Sequence, residues 1–313
     1  MQVRPLSLAG LLVITACRVT APDHAPPVPD DPIEENLWRW SRSSLPPGVT
    51  ATKQDTGMIW YNFGRLHRVI RKEDVYPVIL LDQDEAREEI PVLNLRYTAD
   101  PDDPYSSWAG IQTVVAPGLR DFTGKGYMEV LLRAEGVMVH LDCGSVGEDQ
   151  VRGASWNGLL DTEDQHPENG AFDRPQEDTG FDGVSDDEEP GEGADPAGDN
   201  YWYSEADPMN YEKVNGMEGN QQFDTEDLNA NGRLDVNEEF FRITIDTGSP
   251  TYLVQDLLDG WRLYRVSLDD PGITITGSPD WSRIESVRVW VSGPNARPDG
   301  LVQFGYIDVG WSR

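Results

Sequence analysis

Apolar and polar side chains alternate in short runs along most of this chain. No stretch longer than about ten residues carries the 3.6-residue period of a half-buried helix. Ile90 and Val92 fall opposite Leu93, Leu95 and Tyr97. Val137, Val139, Leu141 and Cys143 share one face of a second run, and Phe241, Ile243 and Ile245 share one of a third. The same spacing groups Tyr264, Val266 and Leu268, then Val287, Val289 and Val291, then Val302, Phe304 and Tyr306. A period of two places one set of side chains on one face of a strand, so each run predicts a strand with a buried side. Tyr127 to Ala134 and Val137 to Cys143 are separated by Glu135-Gly136, which predicts a hairpin. Many short strands joined by Gly, Pro and Asp turns predict an all-β fold, a jelly-roll-like β-sandwich.

The charge is the second constraint. The chain carries 56 acidic and 25 basic side chains, a formal net charge of −31. That balance excludes nucleic-acid binding, which needs a basic footprint, and electrostatic docking on an anionic membrane. Most of the excess lies in residues 161–240, with strand patterns on both sides. We therefore expect one sandwich over residues 37–313 carrying a long acidic insertion at about 145–235, with two small domains as the alternative.

The acidic segment has positional order. Asp227, Asn229, Asn231, Gly232, Arg233, Asp235 and Glu238 match the EF-hand-like calcium loop at every defined position. Ca²⁺ takes about six to eight hard oxygen ligands. Side chains at Asp227, Asn229 and Asn231, the Arg233 carbonyl, Asp235 directly or through water, and both oxygens of Glu238 would supply them. A second loop offers Asp178, Asp182, the Val184 carbonyl, Asp186 and Glu189, but has Gly180 where the third-position ligand belongs. Water or a neighbour such as Asp173 would replace it. Solvated Asx turns are the competing reading of both loops. Glu238 runs straight into a strand pattern, so the loops are expected to be isolated and structural, with two Ca²⁺ ions fixing the insertion on the sandwich.

Residues 1–16 read as a bacterial lipoprotein signal: Arg4, an apolar stretch from Leu6 to Ala16, then Cys17 as the lipidation site. An ordinary secretory signal beside an incidental Cys is the alternative. Arg18 at the following position favours the outer membrane over inner-membrane retention, on the periplasmic or the surface-exposed side. Residues 17–36, rich in Pro and Asp, read as a tether. With Cys17 acylated, Cys143 has no disulfide partner and reads as a small buried hydrophobe.

Nothing points to catalysis. His24, His67, His140 and His166 form no zinc spacing, and no nucleophile elbow is present. His140 and Asp142 are expected on a solvated strand face. Carboxylate pairing for glycoside hydrolysis is spatial, and among so many acids no pair stands out. A glycan-binding face is the rival reading, with Arg288 and Trp290 alternating outward and Trp202 standing inside the insertion.

The order of several motifs resembles the periplasmic β-sandwich modules of the SprA family, giant outer-membrane proteins of gliding motility and type IX secretion. The resemblance runs through Trp60-Tyr61-Asn62, Val92 to Tyr97, Ser107 to Ile111, Glu177 to Glu189, Asp199-Asn200-Tyr201, Asp224 to Gly232, Trp261 to Arg265 and Arg288 to Val291. It covers about residues 58–313. Such proteins translocate substrates through a barrel of about 36 strands, for which this chain has no counterpart. The resemblance therefore implies a stand-alone, lipid-anchored envelope module with a calcium-loop insertion; taken with the residue reading, we expect a non-catalytic module whose partner is an envelope protein or a glycan. It fixes neither the ligand nor the oligomeric state.

Overall fold

The computed structural model describes residues 40–49, 58–62, 69–99, 102, 107–115, 121–150, 157–165, 168–173, 176–191, 193–293 and 299–310. The expected signal, the whole tether, Cys17, His24, His67 and His166 lie outside them.

Two six-stranded antiparallel sheets form the sandwich. The first is ordered β1 (Ser41–Arg42), β6 (Trp108–Val114), β13 (Ser286–Ser292), β8 (Met138–Ser145), β9 (Glu239–Asp246), β12 (Thr274–Thr276). The second is ordered β10 (Leu253–Asp256), β11 (Arg262–Ser267), β7 (Tyr127–Arg133), β14 (Asp299–Gly310), β5 (Leu93–Thr98), β2 (Ile59–Asn62). A two-stranded ribbon pairs β3 (Ile70–Arg71) with β4 (Glu89–Ile90). This is the expected all-β, jelly-roll-like architecture.

The period-two faces meet between the sheets. Leu95, Val130, Leu132, Val139, Leu141, Cys143, Ile243, Ile245, Tyr264, Val266, Val289, Val291 and Val302 form one buried cluster. Burial pushes the Cys143 thiol up to about 12, so it packs as a hydrophobe. Strands from before and after the acidic segment pair in both sheets, β8 with β9, β6 with β13 and β5 with β14. The segment itself runs from the end of β8 at Ser145 to the start of β9 at Glu239, between two hydrogen-bonded neighbours.

Three expectations are corrected. β7 and β8 do not form a hairpin: β7 pairs with β11 and β14 while β8 pairs with β13 and β9, so Glu135-Gly136 turns the chain from one sheet to the other. In β14 the register shifts between Phe304 and Tyr306, so Tyr306 leaves the core face and Ile307 and Val309 take it over. The third correction concerns the face of the first sheet that points away from the core, which is covered rather than solvated.

Leu45 and Val49, just after β1, pack there on Trp108 and Trp290. His140 is 8 % exposed, and Asp142 and Arg288 are 0 % exposed. Trp290, expected to face out, is 4 % exposed and stacks on His140 with ring centroids 3.7 Å apart. Burial holds His140 at about 4, and its ring nitrogens meet the Thr244 and Ser292 hydroxyls. Asp142 accepts from Arg242 Nε at 2.6 Å, Arg288 Nε at 2.8 Å and Trp290 Nε1 at 3.2 Å. Arg288 and Trp290 are thus structural, and neither offers a glycan-binding surface.

Gly144 of β8 lies close against the backbone of β9 at Glu239 and Phe240. Its φ is +154°, and a Cβ there would overlap the Glu239 carbonyl oxygen. Gly144→Ala is expected to destabilise the protein by about 1–3 kcal/mol, since backbone must move to admit the methyl. Urea unfolding of the variant measures it, and an unchanged midpoint would contradict this close approach.

Candidate metal centre

The acidic segment is tied to both sheets. Glu238, at its end, is held by Arg288: Nη1 reaches Oε1 at 2.9 Å and Nη2 reaches Oε2 at 3.0 Å. Further back along it, Tyr211 stacks on Tyr61 of β2 with centroids 3.8 Å apart. The Asn215 side chain donates to Trp60 O and accepts from Trp60 N, each at 2.9 Å, pairing the edge of β2 as a neighbouring strand would. A long irregular segment thereby gains fixed points at a sheet interior and at a sheet edge.

The loop from Asp227 winds as its spacing predicts. Asp227 accepts from Asn231 N at 2.9 Å and Gly232 N at 2.6 Å, and Asn229 Oδ1 accepts from Asn231 N at 3.1 Å. Asn229 and Asn231 both donate to Asp235 Oδ2, at 2.8 and 2.6 Å. Asp227, Asn229, Asn231 and Asp235 therefore converge, and Gly232 turns the chain at φ +77°. Arg233 stands exposed beside them.

Glu238 does not join that group, because β9 begins at the next residue and carries its carboxylate to Arg288. Glu148 lies against the loop instead, accepting from Leu228 N at 3.1 Å and Asp235 N at 3.1 Å. Burial, with the charges of Asp235 and Asp227 adding, pushes its carboxyl up to about 7.

The second loop gathers more charge than its spacing suggests. Asp182, Asp186 and Glu189 come together with two residues from further along the chain, Asp199 and Glu218. Asp199 solves the problem posed by Gly180. A Cβ on Gly180 would overlap Asp199 Oδ2, so the carboxylate of Asp199 fills the space that a third-position side chain would use. Asp173 is not among these carboxylates; its backbone N–H binds Glu177. Asp178, expected as a first ligand, caps the backbone at Gln221 N with both oxygens and stays outside the group. Val184 donates its N–H to Asp182 Oδ1 at 3.0 Å.

Three oxygens in this cluster are buried without a hydrogen-bond donor: Glu189 Oε1, Asp199 Oδ1 and Glu218 Oε2. The other oxygens of Glu189 and Glu218 do have donors, Ala197 N at 2.7 Å and Asp186 N at 3.1 Å. Burial, then the charges of Asp182, Glu189 and Glu218, raises Asp199 to about 7, and burial raises Glu218 as well. Nearby, Glu163 accepts from Gly180 N at 2.9 Å and Asp224 N at 2.8 Å, and burial raises it to about 9. Each shift states that the fold opposes the charged form of a carboxylate packed among others. A divalent cation relieves that opposition, and all-oxygen ligands suit Ca²⁺ or Mg²⁺ rather than a soft metal. The residues present fit a hard cation. Asp199, Glu218 and Glu148 have no diagnostic spacing, and Gly180 at a ligand position was the one sequence signal pointing to a donor from elsewhere.

Trp202 is 44 % exposed and, with Asp186, Asp195, Asn200, Tyr201 and Lys213, lines a surface cleft of about 500 Å³. Among the described residues no helix is long and apolar enough to cross a membrane.

No protein-family model and no curated protein matches the chain. Among solved structures it is similar to a family 11 carbohydrate-binding module from Clostridium thermocellum, in complex with a β-1,3-1,4-mixed-linked tetrasaccharide. That likeness has 9 % identity and a TM-score of 0.30, over 88 % of this chain and 96 % of the module.

Proposed function

We propose that this chain is a calcium-stabilised, lipid-anchored module of the bacterial cell envelope, non-catalytic, with a structural or interaction role. The observation that carries the calcium reading is the set of buried carboxylate oxygens without donors at Glu189, Asp199 and Glu218. An ionised oxygen in that position is costly unless a cation meets it. The lipid anchor at Cys17 and the outer-membrane location rest on the sequence, and the SprA-like order of motifs supports an envelope setting. The cation would hold the acidic segment in shape against its own repulsion, so that Tyr211, Asn215 and Glu238 reach their anchoring points together.

Calorimetric titration of Ca²⁺ into the chelator-treated protein tests this. Extracellular sites of this kind bind at about 10⁻⁴–10⁻³ M. Saturable heat in that range is expected, and no binding below about 5 mM would remove the calcium reading.

Carbohydrate binding is a second reading. It now rests on Trp202 and the cleft beside it, since an exposed indole next to polar side chains suits stacking on a sugar ring. A glycan array with wild type and Trp202→Ala separates the two: specific binding lost in the variant favours the sugar.

A further inference from the structure

Glu189 belongs to two carboxylate groups at once. It lies with Asp182 and Asp199 in one and with Asp186 and Glu218 in the other, and within each group one oxygen per residue lies within 4.8 Å of the rest. The two groups differ in surroundings. Asp182 is exposed and Asp199 half-buried, and both line a cleft of about 410 Å³ that Arg42 and Asn215 share. Asp186 is half-buried and Glu218 buried. The unpartnered oxygens are divided between them, Asp199 Oδ1 on the cleft side and Glu218 Oε2 on the inner side, with Glu189 Oε1 common to both. Glu189 and Glu218 are 9 % and 8 % exposed, so water does not readily supply the missing donors.

Arg42 and Lys213 line the cleft with Asp182 and Asp199. Lys213 is paired with Asp195. Asn200 Nδ2 reaches both oxygens of Asp186, at 3.0 and 2.9 Å, but adds no charge. One divalent ion would leave three of the five carboxylate charges uncompensated, whereas two would leave one. The backbone is built to hold the donors together. Asn200 pairs with Glu218 in a parallel bridge, and a Cβ on Gly216 would overlap the Asn200 backbone, so the segments bearing Asp199 and Glu218 touch.

We infer that this pocket binds two divalent cations, Ca²⁺ by its all-oxygen ligands, with Glu189 bridging them, Asp199 completing the cleft-side ion and Glu218 completing the inner one. The inference rests on the calcium reading above and changes its arithmetic, since the loop spacing alone provides for a single ion here. The cleft-side ion keeps coordination positions open to solvent and exchanges faster than the inner ion.

Counting bound Ca²⁺ by equilibrium dialysis of the full chain tests it, with circular dichroism confirming the fold of each variant. Asp199→Asn and Glu218→Gln should each lose one ion relative to wild type, and the double variant two. Glu189→Gln should lose both. A double variant that loses no more than either single variant would overturn the two-ion site. If Glu189→Gln does not fold, the two singles and their double still decide. Wild type that binds no Ca²⁺ at all would overturn the calcium reading itself, a distinct outcome from the loss of one ion.

Discussion

Asp142→Ala is expected to cost about 3–5 kcal/mol of stability, because it removes a fully buried carboxylate shared by two arginines, one of them fully buried as well. Arg242, Arg288 and Trp290 all donate to that one carboxylate. Arg288 would keep Glu238, and Arg242 would keep Pro47 O at 3.1 Å and its place over the Trp290 and Phe240 rings. Two guanidinium groups would still lose a charged partner, Arg288 with its side chain 0 % exposed and Arg242 with its side chain 13 % exposed. For a domain of this size that corresponds to a fall in melting temperature of roughly 10 °C. The pair Arg265 with Glu129 is the contrast, at 3.1 Å with the arginine 44 % exposed. Glu129→Ala should cost under about 1 kcal/mol, since solvent screens the pair. Thermal unfolding of both variants measures the difference. Similar losses would mean that the outer face of the first sheet is wetter than its packing states.

Chelation should have the second large effect. A ligand bound only by the folded state stabilises it by about 2.7 kcal/mol per site at a hundredfold excess over Kd. With Kd near 10⁻⁴ M, about 10 mM Ca²⁺ meets that condition. Removing even one ion should therefore lower the melting temperature by roughly 5–10 °C, and removing several should lower it further. Mg²⁺ should restore less of the loss, since it prefers a small octahedral shell and keeps its waters. A melting curve that is the same in chelator and in Ca²⁺ would mean that the carboxylates are ordinary solvated surface.

The parts of this molecule that were legible in the sequence are those written in a period of two. Val139, Leu141, Ile243, Val266 and Val289 were placed on core faces by alternation alone, and the structure puts them in one cluster. Alternation does not say which sheet a strand joins, which is why β7 and β8 read as a hairpin while belonging to opposite sheets. It also fails at a bulge, where Gly305 lets Tyr306 cross to the other side. The covered outer face was illegible for a different reason. Leu45, Val49 and Glu238 reach it from irregular segments with no period to read, so His140, Asp142, Arg288 and Trp290 looked exposed.

The candidate metal centre divides in the same way. Local spacing brought Asp227, Asn229, Asn231 and Asp235 together, because a short loop fixes its own geometry. It assigned Glu238 to that loop and missed the pull of Arg288 from β13. Asp199 and Glu218 arrive from segments whose position depends on Tyr211 and Asn215 docking on β2, which no local rule encodes.

The proposed cations would hold the acidic segment in its folded shape on the sandwich. Hydrogen exchange of the full chain, followed by mass spectrometry with Ca²⁺ and with chelator, tests it most directly. Chelation is expected to strip protection from amides in residues 176–227, including Gly180 N and Asp224 N on Glu163 and Ala197 N on Glu189, while β7, β8, β13 and β14 keep theirs. Identical exchange in both conditions across that segment would contradict it.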